Sequence, residues 1–275
     1  MKVITSRDNP FFKQLFKLVH SAQQRKAAGL TLLDGVHLVD AYFSAARNSA
    51  LGEPKKIIVS RSHLEDAEIA RLMANWGIDK EVIVLADPLF REISSVKTAT
   101  RILALIPIPS PETIPMRKRE RNEDFCVLLE AIQDPGNVGS IMRSAAAAAA
   151  NKIYLSEGCA DAWSPKVLRA AMGAHFLIRV HEQADLAEVA REFEGKVIAT
   201  SLKAERNLYQ IGLTGSIAFV FGNEGAGLTN ALVQVASEQI TIPMPGGTES
   251  LNAAAAAAVC FFERVRQMKI WECRI

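Results

Sequence analysis

The chain has 275 residues, of which 49% are hydrophobic and 23% charged, and its formal net charge at pH 7 is +2. These values are typical of a soluble globular protein, and the length is sufficient for one large domain or two modest ones. No stretch reaches the ~18 consecutive apolar residues of a membrane span, and the N-terminus lacks the apolar core of a signal peptide. We therefore expect a cytoplasmic protein that does not associate with membranes.

The first 26 residues carry a local basic excess. Against the single acid Asp8 stand six basic side chains: Lys2, Arg7, Lys13, Lys17, Arg25 and Lys26. An excess of this kind suits binding of a polyanion, and it equally suits a solvated helix face. Composition alone leaves both interpretations open.

The segment before residue 105 predicts a small α/β domain. A helical pattern over 9–26 comes first, and two further helical patterns lie at 35–47 and 63–76. Short β-rich runs alternate with them. These predicted strands cover residues 30–35, 55–60, 81–87 and 101–108.

A proline-rich segment divides the chain. It has prolines at 107, 109, 111 and 115, and dense prolines favour an extended, semi-rigid spacer. We predict a linker over 106–122 between a first domain of residues 1–105 and a second domain of residues 123–275. A basic cluster in this linker fits either a solubilising run or a phosphate contact, and its members are Arg117, Lys118, Arg119 and Arg121.

The second domain shows a cleaner alternation of strands and helices. Apolar strands are predicted at 125–132, 152–156, 176–180, 196–202, 216–222 and 239–244. Helical stretches separate them near 138–150, 164–174, 185–194 and 228–237, and a long helix follows from about 250 to 271. Continuous apolar strands alternating with helices indicate a parallel sheet covered on both faces.

Three glycine-rich loops follow strands of this predicted sheet, at 133–143, 221–228 and 243–252. Ligands of such sheets bind beyond the carboxyl ends of the strands, where glycine lets a ligand approach the main chain. The chain has no Walker loop and no dinucleotide fingerprint. The second and third loops also lack the basic residue that a phosphate would need, and their only charges are Glu224 and Glu249. A positively charged cofactor bound mainly by backbone groups therefore fits better.

The cysteines and histidines show no metal-binding pattern. Cysteines at 126, 159, 260 and 273 form no CxxC pair, and the five histidines form no HExxH motif. We expect no metal site, and we interpret the cysteines as buried thiols of a reducing compartment.

The three loops together resemble a known family. "NVGSIMR" (137–143), "FGNEGAGL" (221–228) and "IPMPGGTESLN" (242–252) are similar to the three ordered motifs of the SpoU/TrmH family, which belongs to the SPOUT class of RNA methyltransferases. "SRDNPFFKQLFKL…LLDGVHLVDAY" (6–42) is similar to the L30e-like substrate-binding domain that precedes many members. Each motif alone is a weak signal, but three in register are specific, and the resemblance covers nearly the whole chain.

The resemblance implies a fold, a reaction and partners. It implies an α/β protein whose C-terminal parallel-sheet SPOUT domain contains a deep trefoil knot, preceded by a smaller α/β domain. It also implies S-adenosylmethionine as the methyl donor, the ribose 2′-hydroxyl of RNA as the acceptor, and a homodimer formed through the C-terminal domain. The appended domain and its basic helix favour 23S ribosomal RNA as the substrate, with transfer RNA second.

The resemblance assigns five residues to the reactive centre: Asn137, Arg143, Glu224, Ser250 and Asn252. The family uses the arginine to activate the ribose hydroxyl. A guanidinium stays protonated at ordinary pH, so Arg143 is poorly suited to act as a base. Stabilising an incipient alkoxide or binding the target phosphate suits it better. Ser250, or Thr248, could also cap the final helix.

The cofactor residues follow from the same motifs and from position. The backbone of Gly222, Ile242, Met244 and Leu251 should line the cofactor pocket. Thr200 and Ser201, at the end of the fourth strand of the second domain, are added from their position alone. The alanines at 253–258 would permit close helix packing in the knot and against a second subunit, although alanine is also simply the best helix former.

Two departures from the family pattern and two alternative functions remain. Asp34 stands where members commonly have glutamate, and residues 145–150 are all alanine where members vary.

An RNA-binding relative without catalysis is the main alternative, and the five intact site residues favour an active enzyme. A nucleotide-dependent oxidoreductase is a distant third, because the dinucleotide fingerprint is missing.

Overall fold

The computed structural model describes residues 2–47, 49–77, 82–94, 101–115 and 123–268. The chain forms two compact units, and each is α/β, as predicted. Unit 1 comprises Met1–Ile114 and Trp163–Phe176, and unit 2 comprises Pro115–Ala162 and Leu177–Ile275. The basic cluster predicted at 117–121 lies outside the described residues.

Unit 1 contains a mixed sheet of five strands in the order β1-β4-β3-β5-β2. Strands β1, β4 and β3 are parallel to one another, whereas β5 runs antiparallel to both β3 and β2. The strands are β1 (Lys2–Ile4), β2 (Leu30–Asp34), β3 (Lys56–Ser60), β4 (Ile83–Leu85) and β5 (Ile102–Pro107). At three residues, β1 is too short to show an alternating pattern, and sequence analysis did not predict it.

Five helices accompany this sheet: α1 (Pro10–His20), α2 (Ala22–Ala28), α3 (Val36–Ala46), α4 (Ala67–Asn75) and α5 (Asp87–Ile93). The prediction of one helix over 9–26 is wrong. Ser21 adopts an extended conformation there, and its hydroxyl accepts a hydrogen bond from the Gln24 amide and so caps a second helix. Helix α5 was not predicted either.

Helix α1 is amphipathic and anchors the core of unit 1. Its start is fixed by Asn9, whose side-chain oxygen accepts hydrogen bonds from the two amides that follow Pro10. Phe12, Leu15 and Leu18 then face one side of the helix and are buried. They join a cluster with apolar side chains of all five strands and of α5.

Unit 2 contains a sheet of six parallel strands in the order β11-β9-β10-β6-β7-β8. The predicted parallel sheet is therefore confirmed. The strands are β6 (Phe125–Leu129), β7 (Lys152–Leu155), β8 (Arg179–Glu182), β9 (Lys196–Thr200), β10 (Ile217–Phe221) and β11 (Glu238–Ile240). Strands β6 and β10 pair with each other near the middle of the sheet, and every residue of both is buried.

The remaining helices lie where the sequence predicted them. They are α6 (Pro135–Ala147), α7 (Pro165–Ala171), α8 (Leu186–Glu192), α9 (Asn230–Val235) and α10 (Ala253–Met268), and α7 belongs to unit 1. Strand β8 begins later than the predicted 176–180, because Ala174–Phe176 form a 3-10 turn.

Among the described residues, no cysteine forms a disulfide bond. Cys126 and Cys260 are buried and Cys159 is half-buried, while Cys273 lies outside the described residues. Burial raises the pKa of Cys260 to about 12, so this thiol stays protonated. Within the described ranges, no group of three or more potential metal-binding side chains is arranged to hold an ion, and no helix is long and apolar enough to cross a membrane.

An aromatic cluster holds α10 against the sheet of unit 2. The ring of Phe261 is completely buried, with its centroid 5.5 Å from that of Phe125, 6.0 Å from that of Phe219 and 5.6 Å from that of Phe221. The guanidinium of the buried Arg264 lies 4.7 Å from the centroid of the Phe125 ring, a cation–π contact. The final helix is therefore fixed by central strands of the sheet.

We expect Phe261→Ala to lower the free energy of unfolding of unit 2 by about 3–5 kcal/mol, because it removes a buried ring and leaves a cavity. Hydrogen exchange of the β6 and β10 amides measures this loss. Leu177→Ala is the matched control, since Leu177 is 46% exposed, and its effect should stay within about 0.5 kcal/mol. Equal losses in the two variants would contradict the packing role of Phe261.

Candidate active site

The three glycine-rich loops begin at the carboxyl edge of the unit 2 sheet, one each after β6, β10 and β11. Strands β6 and β10 are neighbours, so the first and second loops leave the sheet side by side. The third loop leaves β11, which is separated from β10 by β9 alone. All three loops therefore start at the edge where ligands of parallel sheets bind.

Most of the segment predicted as the first loop, 133–143, is helical, because α6 begins at Pro135 and contains the rest of it. The loop proper is the short connection between β6 and Pro135, and the N-terminal cap of α6 places Asn137. The carboxylate of Asp134 accepts a hydrogen bond of 2.8 Å from the backbone amide of Asn137, and Pro135 occupies the first helical position. Asn137 therefore lies in the first turn of the helix, eight residues after the end of β6.

The side chain of Asn137 joins the three loops. Its Nδ2 donates to Oε1 of Glu224 in the second loop at 2.9 Å. Its Oδ1 accepts from Nδ2 of Asn252, at the end of the third loop, at 2.8 Å. The structure thus brings together three of the five residues predicted for the reactive centre, one from each motif.

Asn252 also caps the final helix. Its Oδ1 accepts hydrogen bonds from the backbone amides of Ala254 at 2.9 Å and Ala255 at 3.2 Å. The suggestion that Thr248 or Ser250 caps this helix is therefore wrong, because the cap is the residue directly before Ala253. With its oxygen held by the helix, Asn252 must point its amide nitrogen towards Asn137.

The second loop is a compact turn held by Asn223, which sequence analysis did not single out. Its backbone pairs with that of Gly227 in both directions, at 3.1 and 2.9 Å. Its side-chain oxygen accepts from the amides of Gly225 and Ala226, each at 2.9 Å, and its Nδ2 donates to the carbonyl of Ala131 after β6 at 2.8 Å. One asparagine thus shapes the second loop and fastens it to the first.

Glu130 is a second residue that sequence analysis missed. It follows β6, and its two carboxylate oxygens accept hydrogen bonds from the amide and the hydroxyl of Thr229, both at 2.8 Å. Thr229 caps the start of α9, so the contact fixes the exit of the second loop. The only signal in the sequence was a carboxylate directly after an apolar strand, and many ordinary surface loops begin in the same way.

Arg143 and Ser250 stand apart from this network. Arg143 lies on α6, on the outward side that it shares with Asn137 and Ser140, whereas the intervening residues are mostly buried. Both Arg143 and Ser250 are exposed, and neither side chain makes a hydrogen bond or an ion pair with another described residue. The guanidinium is therefore available to a ligand.

The predicted cofactor residues lie at the ends of adjacent strands. Thr200 ends β9, and its hydroxyl donates to the carbonyl of Val220 at 3.0 Å, while the amide of Ser201 donates to the carbonyl of Ile240 at 2.8 Å. Gly222 follows β10 directly. Three more predicted residues are in the third loop, where Ile242 and Met244 are half-buried and Leu251 is exposed.

Gly222 has no room for a side chain. A Cβ atom there would lie 2.4 Å from the backbone carbon of Gly227 and 2.6 Å from the amide nitrogen of Leu228. The two ends of the second loop therefore approach each other at a distance that only glycine allows. Such close backbone packing is a structural reason for this glycine, independent of any ligand.

We expect Gly222→Ala to open the second loop, because the new Cβ must displace backbone atoms. Hydrogen exchange at the Asn223 and Gly227 amides should become at least about tenfold faster, which corresponds to a loss of roughly 1.4 kcal/mol of local stability. Gly225→Ala is the control in the same loop, since its Cβ would meet only the Asn223 side-chain oxygen at 3.6 Å. Unchanged exchange in Gly222→Ala would refute the close-packing argument.

Comparison with known proteins gives an independent view of this site. The model of the SpoU rRNA Methylase family matches residues 124–262, about half of the chain, and this range contains all three loops. The 23S rRNA (guanosine(2553)-2′-O)-methyltransferase RlmP of Bacillus subtilis is 30% identical over 265 residues, covering 95% of this chain and 98% of that protein. The 23S rRNA (uridine(2479)-2′-O)-methyltransferase of Streptomyces viridochromogenes is 30% identical, covering 96% of this chain and 92% of that protein.

Among solved structures, the SpoU methyltransferase AviRb from Streptomyces viridochromogenes in complex with the cofactor AdoMet has a TM-score of 0.82. It is 28% identical, and the alignment covers 95% of this chain and 98% of that chain. The likeness therefore extends over both units and is not confined to the loops. Since the family model matches the part of the chain that carries the joined loops, and the relatives match along nearly its whole length, the chain belongs to the SpoU rRNA methylase family.

Proposed function

We propose that this protein transfers a methyl group from S-adenosylmethionine to a ribose 2′-hydroxyl of 23S ribosomal RNA. The observation that carries the proposal is the hydrogen-bonded chain Glu224–Asn137–Asn252, which unites the three family motifs at one edge of the sheet. Two relatives aligned over nearly the full length, those of Bacillus subtilis and Streptomyces viridochromogenes, are 23S rRNA 2′-O-methyltransferases. Because these two modify different nucleotides, the choice of nucleotide is not carried over to this chain.

The residues at the sheet edge suit this cofactor. S-adenosylmethionine supplies, when bound, an electrophilic methyl group on a positively charged sulfur. We assign its binding to Thr200, Ser201, Gly222, Ile242, Met244 and Leu251. The second and third loops have no lysine or arginine, so no cation there opposes a sulfonium, and Glu224 adds a negative charge. Backbone groups beyond the strand ends provide the remaining polar contacts.

The catalytic task of the protein is positioning and charge stabilisation. Holding the acceptor hydroxyl in line with the methyl group supplies a large part of the acceleration. We assign Arg143 to the stabilisation of the negative charge that develops on the ribose oxygen, because its guanidinium is exposed and unpaired with the described residues. Asn137, Glu224 and Asn252 fix the surrounding loops, and the Ser250 hydroxyl is available for a ribose contact.

We further propose separate roles for the two units, the position of the knot and the cellular compartment. Unit 1 binds RNA and unit 2 carries the reaction, with the boundary at the predicted linker of residues 106–122. The chain segment around the third loop and α10 forms the deep knot that the family resemblance implies. A 23S rRNA substrate places the protein in the cytoplasm, where ribosomes are assembled.

A second copy of the chain is the partner that we propose for α10. The helix buries one side, which includes Ala257, Phe261 and Arg264. The opposite side presents Ala255 and Phe262 to solvent, and Phe262 is 50% exposed. Small residues beside an exposed aromatic ring allow two helices to approach closely around an apolar anchor. A homodimer through this face would cover the ring.

Transfer of tritium from labelled S-adenosylmethionine tests the main proposal. We expect label on 23S ribosomal RNA and, after nuclease digestion, on a single 2′-O-methylated nucleotide. Label on transfer RNA alone would contradict the assigned substrate. Cofactor binding without transfer to any RNA would identify an inert RNA-binding relative.

We expect Arg143→Ala to lower kcat by about 10²–10³-fold or more, because the developing oxyanion loses its charge partner. Cofactor affinity, measured by calorimetry, should change less than about threefold. Arg143→Lys is the control, because it keeps the positive charge but lacks the planar guanidinium with its paired N–H donors. It should retain more activity than the alanine variant. A large loss of cofactor affinity in Arg143→Ala would show that its role is misassigned.

We expect Phe262→Glu to convert the dimer into a monomer, because it places a charge in the centre of the proposed apolar contact. Light scattering after gel filtration measures the mass directly. Phe16→Glu is the matched control, since Phe16 is an exposed phenylalanine of unit 1 and lies outside the proposed interface. A wild-type protein that is monomeric at micromolar concentration would refute the proposal.

A further inference from the structure

A cavity of about 470 Å³ lies within unit 1, and none of its lining residues is among the predicted site residues. It is bounded by the C-terminal ends of α3 and α4 and by the loop that leads into β3. Its volume falls in the range of about 300–1,000 Å³ that is typical of small-ligand pockets. The proposed methyl transfer has no use for it.

Two stacked aromatic rings form one wall of this cavity. Phe43 on α3 and Trp76 after α4 both line it, and their rings are nearly parallel, 6° apart, with centroids at 4.7 Å. The indole Nε1 of Trp76 donates a hydrogen bond of 3.1 Å to Oδ1 of Asp40, which fixes the plane of the ring. Since the two rings cover each other's inner faces, a nucleobase can stack only on an outer face of the pair, where it would extend the stack.

The rim of the cavity is basic. Arg47, Lys55 and Lys56 line it, against one carboxylate, that of Glu53. Arg47 is held in place by a 2.8 Å hydrogen bond from Nη2 to the carbonyl of Asn75. The side chains of Lys55 and Lys56 are exposed and make no ion pair with the described residues. Their ammonium groups are therefore available to an anion.

We propose that this cavity binds one unstacked nucleotide of the RNA substrate. The base stacks on an outer face of the Phe43–Trp76 pair, and an adjoining phosphate contacts Lys55 and Lys56. The aromatic surface suits the base of a nucleotide and the basic rim suits its phosphate, whereas an apolar peptide would not need the cations. The inference rests on the proposed function and adds to it a second RNA contact, remote in sequence from the reactive loops.

Two variants test the two halves of the site in the full-length protein. Trp76→Leu removes the stacking surface, and we expect the Kd for a 23S rRNA transcript to rise about ten- to hundredfold. K55Q/K56Q removes two exposed cations without touching the core. K55Q/K56Q should also weaken RNA binding. In a plot of the logarithm of the binding constant against the logarithm of the salt concentration, the slope should become less steep by about 0.7 for each phosphate contact with single-stranded RNA that is lost. Melting temperatures confirm that each variant is folded.

Matched controls separate the site from general charge and from stability. R61Q/R91Q removes two exposed cations of unit 1 outside the cavity, and it should change Kd by less than about threefold. Trp76→Phe keeps an aromatic ring and should bind RNA better than Trp76→Leu. In methyl-transfer assays both cavity variants should raise the KM for RNA while leaving kcat at saturating RNA unchanged.

The outcomes distinguish this inference from the proposed function. If the wild-type protein methylates 23S ribosomal RNA and K55Q/K56Q shows the same Kd and KM as R61Q/R91Q, the cavity is not an RNA site and the inference is overturned. If the wild-type protein methylates no RNA, the proposed function itself fails. Loss of RNA affinity in both cavity variants, with kcat preserved, supports the inference.

Discussion

One side-chain amide, that of Asn137, is the constraint on which the active-site geometry depends. It donates to Glu224 and accepts from Asn252, and these two partners are 87 and 115 residues away along the chain. An amide side chain offers a donor and an acceptor on two atoms bonded to the same carbon. An aspartate at this position would lack the donor for Glu224 and would bring two carboxylates together. The three loops therefore share one hydrogen-bonded centre.

Each partner of that centre is itself held by the fold. Asp134 fixes the turn that carries Asn137, and Asn252 has its oxygen committed to the start of α10. Asn223 and Glu130 tie the second loop to the end of β6. The loops are therefore fastened to the sheet and to α10 by hydrogen bonds of polar side chains and backbone groups. The side chain of Arg143 makes no contact of this kind with the described residues, which is compatible with the role that we propose for it.

The elements that were predicted well are those with a strong local pattern, and the errors have physical causes. The buried strands β6 and β10 are continuous apolar runs and were placed to within a few residues. Helices α1 and α2 form one continuous helical pattern in the sequence, but Ser21 breaks it because its hydroxyl caps the second helix. The cap of α10 was assigned to Thr248 or Ser250, and Asn252 holds it instead. Local N-cap preference cannot decide which of these three polar residues caps α10, because the cap is the residue directly before the first helical position and the sequence does not fix that position.

The sequence by itself determined the parallel α/β architecture of unit 2, the three loops at strand ends and the family motifs within them, because each depends on residues that are neighbours in the chain. Only the tertiary structure decided that Asn137 reaches both other loops, that Glu130 and Asn223 support them, and that Trp163–Phe176 belongs to unit 1. It also decided that Phe43 and Trp76, 33 positions apart by their numbers, stack in one cavity wall. These contacts depend on strand order and on the packing of distant segments, which no local periodicity encodes.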